Sequence, residues 1–487
     1  MDVLFGDMQR IGLRARRLLA ERALWPILGA IAAAGPAIWM WGFTVDDALV
    51  AVRYARHIAT GIGWRFNPQG PSTDGVTPLV WPLVLAPMAR AAPLAVLGRA
   101  KALGLVAWMG AGAALGIAVG RSTAAPTWGR ASALAVVALS VPLAAHAVSG
   151  METALATVLA TVAALLARRP LAAAALAGVA ASLRPELAPW ACVLGVGAAI
   201  AARARTGRVV IAGALAIAPF TLCAIVRAVV WGRAAPLAVM AKPSDLDHGL
   251  AYAGAACVVT LTPILVLAPA ALRASPIALA IVCAAVAHVG AIVAVGGDWM
   301  PYARLMVPVV PTLAYAGVLA SEFARPFATA LRSLAAIALG AALIVRGGTD
   351  GRGVGAERRA LVTEASPALI GIGRVAALDI GWVSAATEAE IIDLAGLTDP
   401  EIAALPGGHT SKRVDSIFLL SRKPDALLLY APDGLPGGDL DAWPDAHYPR
   451  VVEARLARDP VVLRHFDPAA WLPLGIRGAG YVLLRAR

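Results

Sequence analysis

Successive apolar runs up to about residue 346 limit what this chain can fold into more than any other feature. A helix of about 20 apolar residues can cross a bilayer, because it satisfies its backbone hydrogen bonds internally. About eleven candidate runs are present, at residues 24–43, 102–120, 131–148, 151–167, 171–183, 186–202, 209–230, 250–272, 276–296, 304–320 and 333–346. We therefore expect a polytopic α-helical membrane protein with about eleven transmembrane helices.

The composition agrees with this expectation, because 59% of the residues are hydrophobic and only 15% are charged. The net charge of +12 would suit a nucleic-acid-binding protein, but the arginines gather in short segments such as 13–22, 167–170 and 203–208. Positive charge kept on the cytosolic side of the spans explains this distribution. We expect a multi-pass plasma-membrane protein that contacts membrane lipids, has a cytosolic N-terminus and binds no nucleic acid.

A change of composition near residue 346 marks the expected domain boundary. Residues 1–346 form the predicted transmembrane module, whereas 347–487 carry charged and turn-forming residues at an ordinary density. A small α/β domain is predicted there from strand-like segments at 375–380, 390–394, 425–430 and 480–486 and a helix-like segment near 410–422. The glycine-rich stretch 346–355 is typical of a hinge between the two parts.

The segment 79–97 decides which side of the membrane each later loop faces. Prolines at 82, 87 and 93 interrupt it, and proline disrupts the interior of a helix. If this segment does not cross, every arginine-rich loop falls on the cytosolic side. The first loop (44–101) and the C-terminal domain then lie outside the cytosol. The polar groups that this topology gathers on the same face are Asp46 with Asp47, SGMET (149–153), RPE (184–186), Lys242 and GGDWMPYAR (296–304).

Two adjacent carboxylates, Asp46 and Asp47, begin an amphipathic helix predicted over 46–59. One interpretation is a capping box, with Thr44 at the N-cap and Asp47 at the third helical position. Because two like charges exceed what one cap needs, we also expect a catalytic role for the pair. Paired carboxylates suit a general base, or the ligands of a divalent cation such as Mg²⁺ or Mn²⁺. If Asp47 serves the cap, Asp46 is the better candidate for the base.

Four basic residues, Arg184, Lys242, Arg304 and Arg53, are the candidates for binding a phosphate group. Guanidinium groups match phosphate oxygens bidentately and stabilise the negative charge that builds on a departing phosphate. The alternative for Arg184 is a structural ion pair with one of the nearby acids, because a charge beside an apolar run needs a partner.

The other polar and aromatic residues of these motifs are candidates for binding the sugar or the acceptor: His57, Trp64, Glu152, Glu186, Asp298 and Trp299. Trp64 lies in a turn-rich loop, where an aromatic ring can stack on a sugar ring or belong to an interfacial belt. His57 by itself is more typical of a packing residue. Asp298 has three open roles, as a helix cap, a metal ligand or a partner of Arg304.

These motifs together resemble a known class of membrane enzymes. The first loop contains DDA, RYA, a Gly-x-Gly-aromatic turn, an NP turn and a TPL-x-W ending. SGMET, RPE, GGDWMPYAR and IDLAGLTDPEIA (392–403) follow in order. The set resembles GT-C-type membrane glycosyltransferases, in the group that includes the mycobacterial terminal β-1,2-arabinofuranosyltransferase. Val76 stands where an aromatic residue is expected, and the chain is shorter than the mycobacterial enzymes.

The resemblance implies a GT-C-like fold and transfer of a sugar from a polyprenyl-phosphate donor. It suggests arabinofuranose as the sugar, a cell-envelope glycan or lipid as the acceptor, and Asp46 or Asp47 as the catalytic base, with a divalent metal in some members. The competing hypothesis is a transporter or flippase for a lipid-linked glycan, whose translocation path the same charges would line. The chain shows no internal repeat and its charges gather on one predicted face, which favours the enzyme.

Overall fold

Helices form most of the chain up to residue 368, and a five-stranded sheet lies nearer its C-terminus. The computed structural model describes residues 23–475 and 478–487. The predicted cytosolic N-terminus and the arginine-rich segment 13–22 lie outside these residues. The helices before the sheet are α1 (Ala23–Trp39), α2 (Asp46–Ala59), α3 (Val80–Leu85), α4 (Pro93–Arg121), α5 (Thr127–Ala138), α6 (Val141–Ala147), α7 (Thr153–Leu165), α8 (Pro170–Leu183), α9 (Ala188–Ala201), α10 (Thr206–Trp231), α11 (Leu237–Met240), α12 (Leu246–Val259), α13 (Thr262–Leu265), α14 (Pro269–Ala274), α15 (Pro276–Ala294), α16 (Val310–Ser321) and α17 (Pro326–Ala368).

Four of the described helices, α4, α10, α15 and α17, are long and apolar enough to cross a membrane. A fifth span results if α5 and α6, which meet at a bend of 56°, are counted together. The chain therefore has the helices of a membrane protein, but the prediction of about eleven spans is wrong.

Breaks within the apolar runs explain the difference. The predicted run 250–272 is divided between α12 and α13 at Leu261, whose backbone is left-handed (φ 60°). The predicted run 151–167 becomes α7, a helix of 13 residues. At 1.5 Å per residue such a helix is about 20 Å long, well short of a hydrocarbon core of about 30 Å. Hydropathy counts apolar residues and does not register these interruptions.

Small residues let the helices of the apolar part approach closely. Helix α8 packs against α7, α9 and α10. A Cβ atom on Gly178 of α8 would lie 2.5 Å from the carbonyl oxygen of Leu215 in α10, so only glycine fits there. Close backbone contact of this kind is typical of helix packing in membranes.

The segment 79–97 is broken as its prolines predict. Helix α3 has six residues, and a short 3₁₀ turn at Ala86–Met88 follows it before α4 begins at Pro93. Neither piece is long enough to cross a bilayer.

Helix α17 is 43 residues long and runs through the predicted boundary at 346 and the predicted hinge at 346–355. The hinge prediction is therefore wrong. A Cβ atom on Gly348 would overlap the ring of Trp39, and one on Gly351 would overlap the ring of Tyr302. The glycines of this stretch thus serve close packing against aromatic rings, whereas the sequence alone suggested flexibility.

The sheet has the strand order β2-β1-β3-β5-β4 and consists of β1 (Arg374–Ala377), β2 (Glu390–Asp393), β3 (Ala426–Ala431), β4 (Phe466–Pro473) and β5 (Gly480–Ala486). Strand β1 pairs in parallel with β2 and β3, and β5 pairs antiparallel with β3 and β4. The helices around the sheet are α18 (Ile380–Ala386), α19 (Pro400–Ala404), α20 (Ser416–Ser421), α21 (Val451–Ala457) and α22 (Pro460–His465). The expected C-terminal α/β domain is therefore present.

The four strands predicted from sequence are confirmed, and the helix predicted near 410–422 corresponds to the shorter α20. Strand β4 was missed because Pro468 and Pro473 obscure its pattern. Proline is tolerated there because β4 is an edge strand, where an amide donor is not needed on the free side.

The first loop packs directly on the C-terminal domain. Helix α2 contacts α18. The Arg53 guanidinium donates to the carbonyl oxygens of Thr387 (3.2 Å) and Ala389 (2.9 Å). The side-chain amide of Asn67 exchanges two hydrogen bonds, each 2.9 Å, with the backbone of Ile391 in β2. The loop that carries the acidic pair is thus held against the sheet domain.

A substitution at Gly42 tests the packing of α17 against the start of the first loop. The amide of Gly355 donates to the Gly42 carbonyl (2.7 Å), and a Cβ atom on Gly42 would overlap the backbone of Arg352. We expect Gly42→Ala to destabilise the protein by about 1–3 kcal/mol, as overpacking does. Gly35→Ala is the matched control, because open space surrounds Gly35. Thermal unfolding in detergent should show a lower melting temperature for Gly42→Ala only, and equal values would contradict the packing.

Candidate functional site

The start of α2 is fixed by a contact that excludes the predicted capping box. The Thr44 hydroxyl donates to the carbonyl oxygen of Ser149 (3.0 Å), in the SGMET motif. Val45 occupies the N-cap position and no side chain caps the helix. The capping-box prediction is therefore wrong, because Thr44 lies one residue too early and its hydroxyl is used elsewhere. The same bond places the acidic pair beside the 149–153 motif.

Asp46 belongs to the interface with the C-terminal domain. Its two carboxylate oxygens accept hydrogen bonds from the backbone amides of Gly381 (2.7 Å) and Trp382 (2.9 Å), at the N-terminal end of α18. Burial raises the pKa of Asp46 to about 6, although the Arg358 charge opposes the rise and the Asp379 carboxylate adds to it. Asp46 therefore joins the two parts of the protein.

Asp47, its neighbour, is half-buried, and its side chain makes no hydrogen bond or ion pair with any described residue. An ionised carboxylate with open lone pairs can accept a proton from a substrate hydroxyl. Of the two predicted catalytic carboxylates, Asp47 is thus the one whose contacts favour general-base chemistry. This reverses the preference for Asp46, which depended on the capping box.

Arg184 lies between two acids that sequence analysis had singled out. Its guanidinium donates to Glu152 (2.8 Å) and to Glu186 (2.7 Å). Arg184 is 3% exposed and Glu152 is fully buried, with one carboxylate oxygen that has no partner among the described residues. A buried ion pair of this kind holds its geometry, because separating the charges leaves one of them desolvated. At least two N–H donors of Arg184 are therefore used in ion pairs that stabilise the structure.

A second ion pair joins this group. The Arg304 guanidinium donates to Asp298 at 2.7 Å. Burial tends to raise the pKa of Asp298, but the charges of Arg304, Lys242 and Arg184 outweigh it, so the pKa lies below its usual range. The predicted residues Arg184, Lys242 and Arg304 therefore act on one carboxylate, and the structure brings them together.

Lys242 differs from the two arginines because its ammonium group makes no hydrogen bond or ion pair with the residues that the structure describes. Its charge also acts on His409, from the C-terminal domain: burial first, then Lys242 and Arg450, lower the pKa of His409 to about 4. Within the described cluster, Lys242 is thus the cation with all of its donors open to a ligand.

Trp299 lies at the edge of this cluster, and 68% of it is exposed. Its ring stacks on that of His248, with centroids 4.2 Å apart and planes 15° apart. The ring of His409 lies 5.9 Å away at a steeper angle. These aromatic rings form an exposed face beside Lys242 and Asp298, which suits contact with the apolar face of a sugar or with a lipid.

Three predicted binding residues instead hold the first loop in shape. Arg53 is 1% exposed, and its Nε donates to the carbonyl oxygen of Phe66 (2.7 Å), in addition to its bonds to the C-terminal domain. His57 Nδ1 forms a hydrogen bond with the carbonyl of Arg65 (2.7 Å). Trp64 packs near Trp231, with centroids 5.8 Å apart. None of these contacts directs the side chain toward the cluster of Arg184, Lys242 and Arg304.

Two buried histidines were missed by the sequence analysis. His288 of α15 forms hydrogen bonds with the carbonyls of Glu186 (3.0 Å) and Leu305 (2.7 Å). His146 of α6 contacts the carbonyl of Pro301 (3.1 Å). Both connect the motifs that carry the charges. The available signal was a histidine within an apolar run, which is costly and needs a partner.

A polar group in the C-terminal domain was also missed. Arg450 donates to both oxygens of Asp379 (2.7 and 3.1 Å), and the Tyr481 hydroxyl donates to the same carboxylate (2.5 Å). Asp379 precedes α18, whose first amides bind Asp46. These residues come from three distant segments, so no local pattern in the sequence announces them.

The described residues contain no group of three or more His, Cys, Asp or Glu side chains arranged to hold a metal ion. Asp46 and Asp47, the predicted metal ligands, therefore have no third protein ligand among these residues. Both carboxylate oxygens of Asp46 already accept hydrogen bonds from backbone amides.

Comparisons with known proteins cover only the C-terminal part. A family model described as a domain of unknown function (DUF8728) matches residues 359–474, from the end of α17 through β4. No curated protein and no solved structure matches the chain.

Arg184→Met tests whether the central ion pairs are structural. Removing the guanidinium leaves Glu152 and Glu186 buried without their cation, and we expect a loss of about 3–5 kcal/mol. Arg56→Met is the control, because Arg56 forms a single ion pair (2.9 Å) with Glu388, which is 66% exposed. That change should cost less than about 1 kcal/mol. Melting temperatures in detergent measure both, and similar shifts would show that the Arg184 pairs do not stabilise the fold.

Asp46→Asn tests the environment of the interdomain carboxylate. The native pKa of about 6 lies above the ordinary value of 3.8, so the native state binds the proton more tightly than the unfolded state. The contribution of Asp46 to stability therefore falls as pH rises from about 4 through 6. We expect the melting temperature of Asp46→Asn, relative to that of the wild type, to rise as the pH increases over this interval. A constant difference between the two proteins from pH 4 to 7 would contradict the burial of Asp46.

Proposed function

We propose that this protein is a GT-C-type membrane glycosyltransferase that moves a sugar from a polyprenyl-phosphate donor to a glycan or lipid acceptor. The observation that carries the proposal is the convergence of two open, oppositely charged groups on one set of motifs. Asp47 lies in the first turn of α2, beside the 149–153 motif, and Lys242 lies beside Asp298 and Arg304. A base and a phosphate-binding cation are the two groups that this reaction requires.

Asp47 would act as the general base. In transfer from a sugar phosphate, the acceptor hydroxyl attacks the anomeric carbon and must lose its proton as the new bond forms. A positioned carboxylate that accepts this proton typically accelerates a reaction by about 10²–10⁴-fold. Asp46 would keep α2 in place through its bonds to α18, so that the Asp47 side chain is presented in a fixed position.

The basic cluster would receive the departing polyprenyl phosphate. As the bond to the sugar breaks, negative charge grows on the phosphate oxygens, and fixed cations stabilise it. Lys242 offers its three donors without losing an existing contact. Arg304 would keep its hydrogen bond to Asp298 and donate its other N–H groups to the phosphate. Arg184 would contribute its positive charge without donating to the phosphate, because its guanidinium is hydrogen-bonded to Glu152 and Glu186.

The membrane setting supports a lipid-borne donor. Several helices of the chain can cross a membrane, and Lys242 and Asp298 lie in the segments that follow two of them, α10 and α15. We infer that this cluster faces the extracytoplasmic side of the plasma membrane, as the first outer loop does in the GT-C-type enzymes that the motifs resemble. Nucleotide sugars do not reach that side, so the donor must arrive on a lipid. Arabinofuranose is the first sugar to test, because the first-loop motifs resemble those of arabinofuranosyltransferases.

The test uses purified protein in detergent with a radiolabelled polyprenyl-phosphate arabinofuranose and an arabinan acceptor. Asp47→Asn should lower the rate of transfer by about 10²–10⁴-fold, as loss of a general base does. Lys242→Met should weaken use of the donor and raise its KM. Asp46→Asn should retain more activity than Asp47→Asn, because Asp46 positions the helix and takes no proton from the acceptor hydroxyl.

Asp247→Asn is the control, since Asp247 is an exposed acid in α12 that makes no contact with the cluster. Transfer at the wild-type rate by Asp47→Asn would refute the assignment of the base. Absence of transfer by the wild type, combined with movement of the intact lipid-linked sugar across proteoliposomes, would support the transporter instead. Product formed in detergent, without a sealed compartment, excludes simple transport.

A further inference from the structure

A cavity of about 430 Å³ lies between the first loop and the C-terminal domain, away from the acidic pair. One wall is the stretch from Phe66 to Thr73, and the other is made by β2 and by residues 398–401 and 421–422. Its volume is within the range of small-molecule sites in proteins, about 300–1,000 Å³.

The charged side chains in this cavity are paired with one another. Arg374 donates to Glu390 (2.9 Å), and Arg422 donates to Glu401 (2.6 Å) and approaches Asp399 (3.4 Å). Among the described contacts, Glu390 and Asp399 each use one carboxylate oxygen and keep the other open. The lining therefore offers hydrogen-bond donors and acceptors side by side, with no excess of positive charge.

The two walls are joined and do not form a mobile gap. The Asn67 amide is bonded to both the N–H and the carbonyl of Ile391, on the free edge of β2. Phe66, which is buried, fixes the neighbouring backbone, since its carbonyl accepts from Arg53. A cavity whose walls are held in this way is preformed, so a ligand meets little ordering cost.

We propose that this cavity binds a neutral saccharide unit of the glycan acceptor, at a distance from the reacting hydroxyl. Carboxylates and guanidinium groups that alternate with apolar surface, such as Pro71 and Ile392, match a ligand with many hydroxyl groups. A phosphate or another anion finds no unbalanced cation there. The role as an acceptor subsite rests on the proposed function, whereas the binding itself does not.

The distance from the acidic pair makes the two sites complementary. Asp47 lies in the first turn of α2, whereas Arg53 and Tyr54 further along the helix contact Phe66 (2.7 Å) and Thr73 (2.8 Å) of the cavity wall. At 1.5 Å per residue the helix thus separates Asp47 from the cavity by about 10 Å. A glycan chain of several sugars reaches across that interval. Binding of a remote part of a substrate improves catalysis by fixing the reacting end, so the cavity would select chains of sufficient length over single sugars.

The experiment measures saccharide binding directly, by saturation-transfer NMR on the full-length protein in a detergent without a sugar headgroup. The probes are neutral arabinan, mannan and glucan hexasaccharides, with inorganic phosphate for comparison. We expect at least one hexasaccharide to bind, and the double variant Arg374→Gln with Glu390→Gln to weaken that binding at least tenfold. Ser421→Trp, a substitution at an exposed position that fills the cavity, should have the same effect.

Arg487→Gln is the matched control, because it breaks an exposed ion pair with Asp467 (2.8 Å) that lies outside the cavity. The proposal is overturned if no hexasaccharide binds, if only phosphate binds, or if both cavity variants bind as the wild type does. If the double variant unfolds, Ser421→Trp decides alone.

The two proposals fail in different ways. Asp47→Asn should bind the hexasaccharide normally while it loses transfer. Wild-type protein that transfers sugar but binds no hexasaccharide would overturn the cavity site only. Protein that binds through the cavity but never transfers sugar would overturn the proposed function and leave a saccharide-binding site in place.

Discussion

The hydrogen bonds between the Asp46 carboxylate and the amides of Gly381 and Trp382 are the contact on which the arrangement of the site depends. Free N–H groups and the helix dipole reduce the cost of burying a carboxylate at the N-terminal end of a helix. Here the carboxylate and the helix belong to segments 335 positions apart in the chain. The same contact orients α2, and the neighbouring Asp47 has no partner among the described residues, so one acid supports the structure and the other stays available for chemistry.

The basic cluster follows a similar division of roles. Arg184 is committed to two acids, Arg304 to one, and Lys242 to none within the described residues. Buried charges need partners because desolvation is costly, and the paired groups fix the geometry around the unpaired one. His288 and the backbone carbonyls that it contacts extend this frame from α15 to the Arg304 segment. A ligand phosphate would then bind Lys242, whose ammonium donors are not used by the other described residues.

The sequence indicated more of the charge pattern than of the helix pattern. The RPE, SGMET and GGDWMPYAR motifs each carry a costly charge beside an apolar run, and the structure joins Arg184 with Glu152 and Asp298 with Arg304. The strands were recognisable by their apolar residues, except for proline-containing β4. Hydropathy could not show where short helices break, nor that Gly348 and Gly351 meet aromatic rings. Asp379, Arg450 and Tyr481 meet only after folding, so nothing local predicts them.

Helix α17 has a mechanical consequence. With 43 residues it is about 65 Å long, roughly twice the thickness of a hydrocarbon core. Its glycines pack closely against Trp39 and Tyr302, and these contacts hold α17 where it leaves the apolar helices. Because α17 is continuous, no flexible link separates the apolar helices from the sheet that follows. Under the proposed function, α17 would therefore set the length of the glycan chain that can reach both sites.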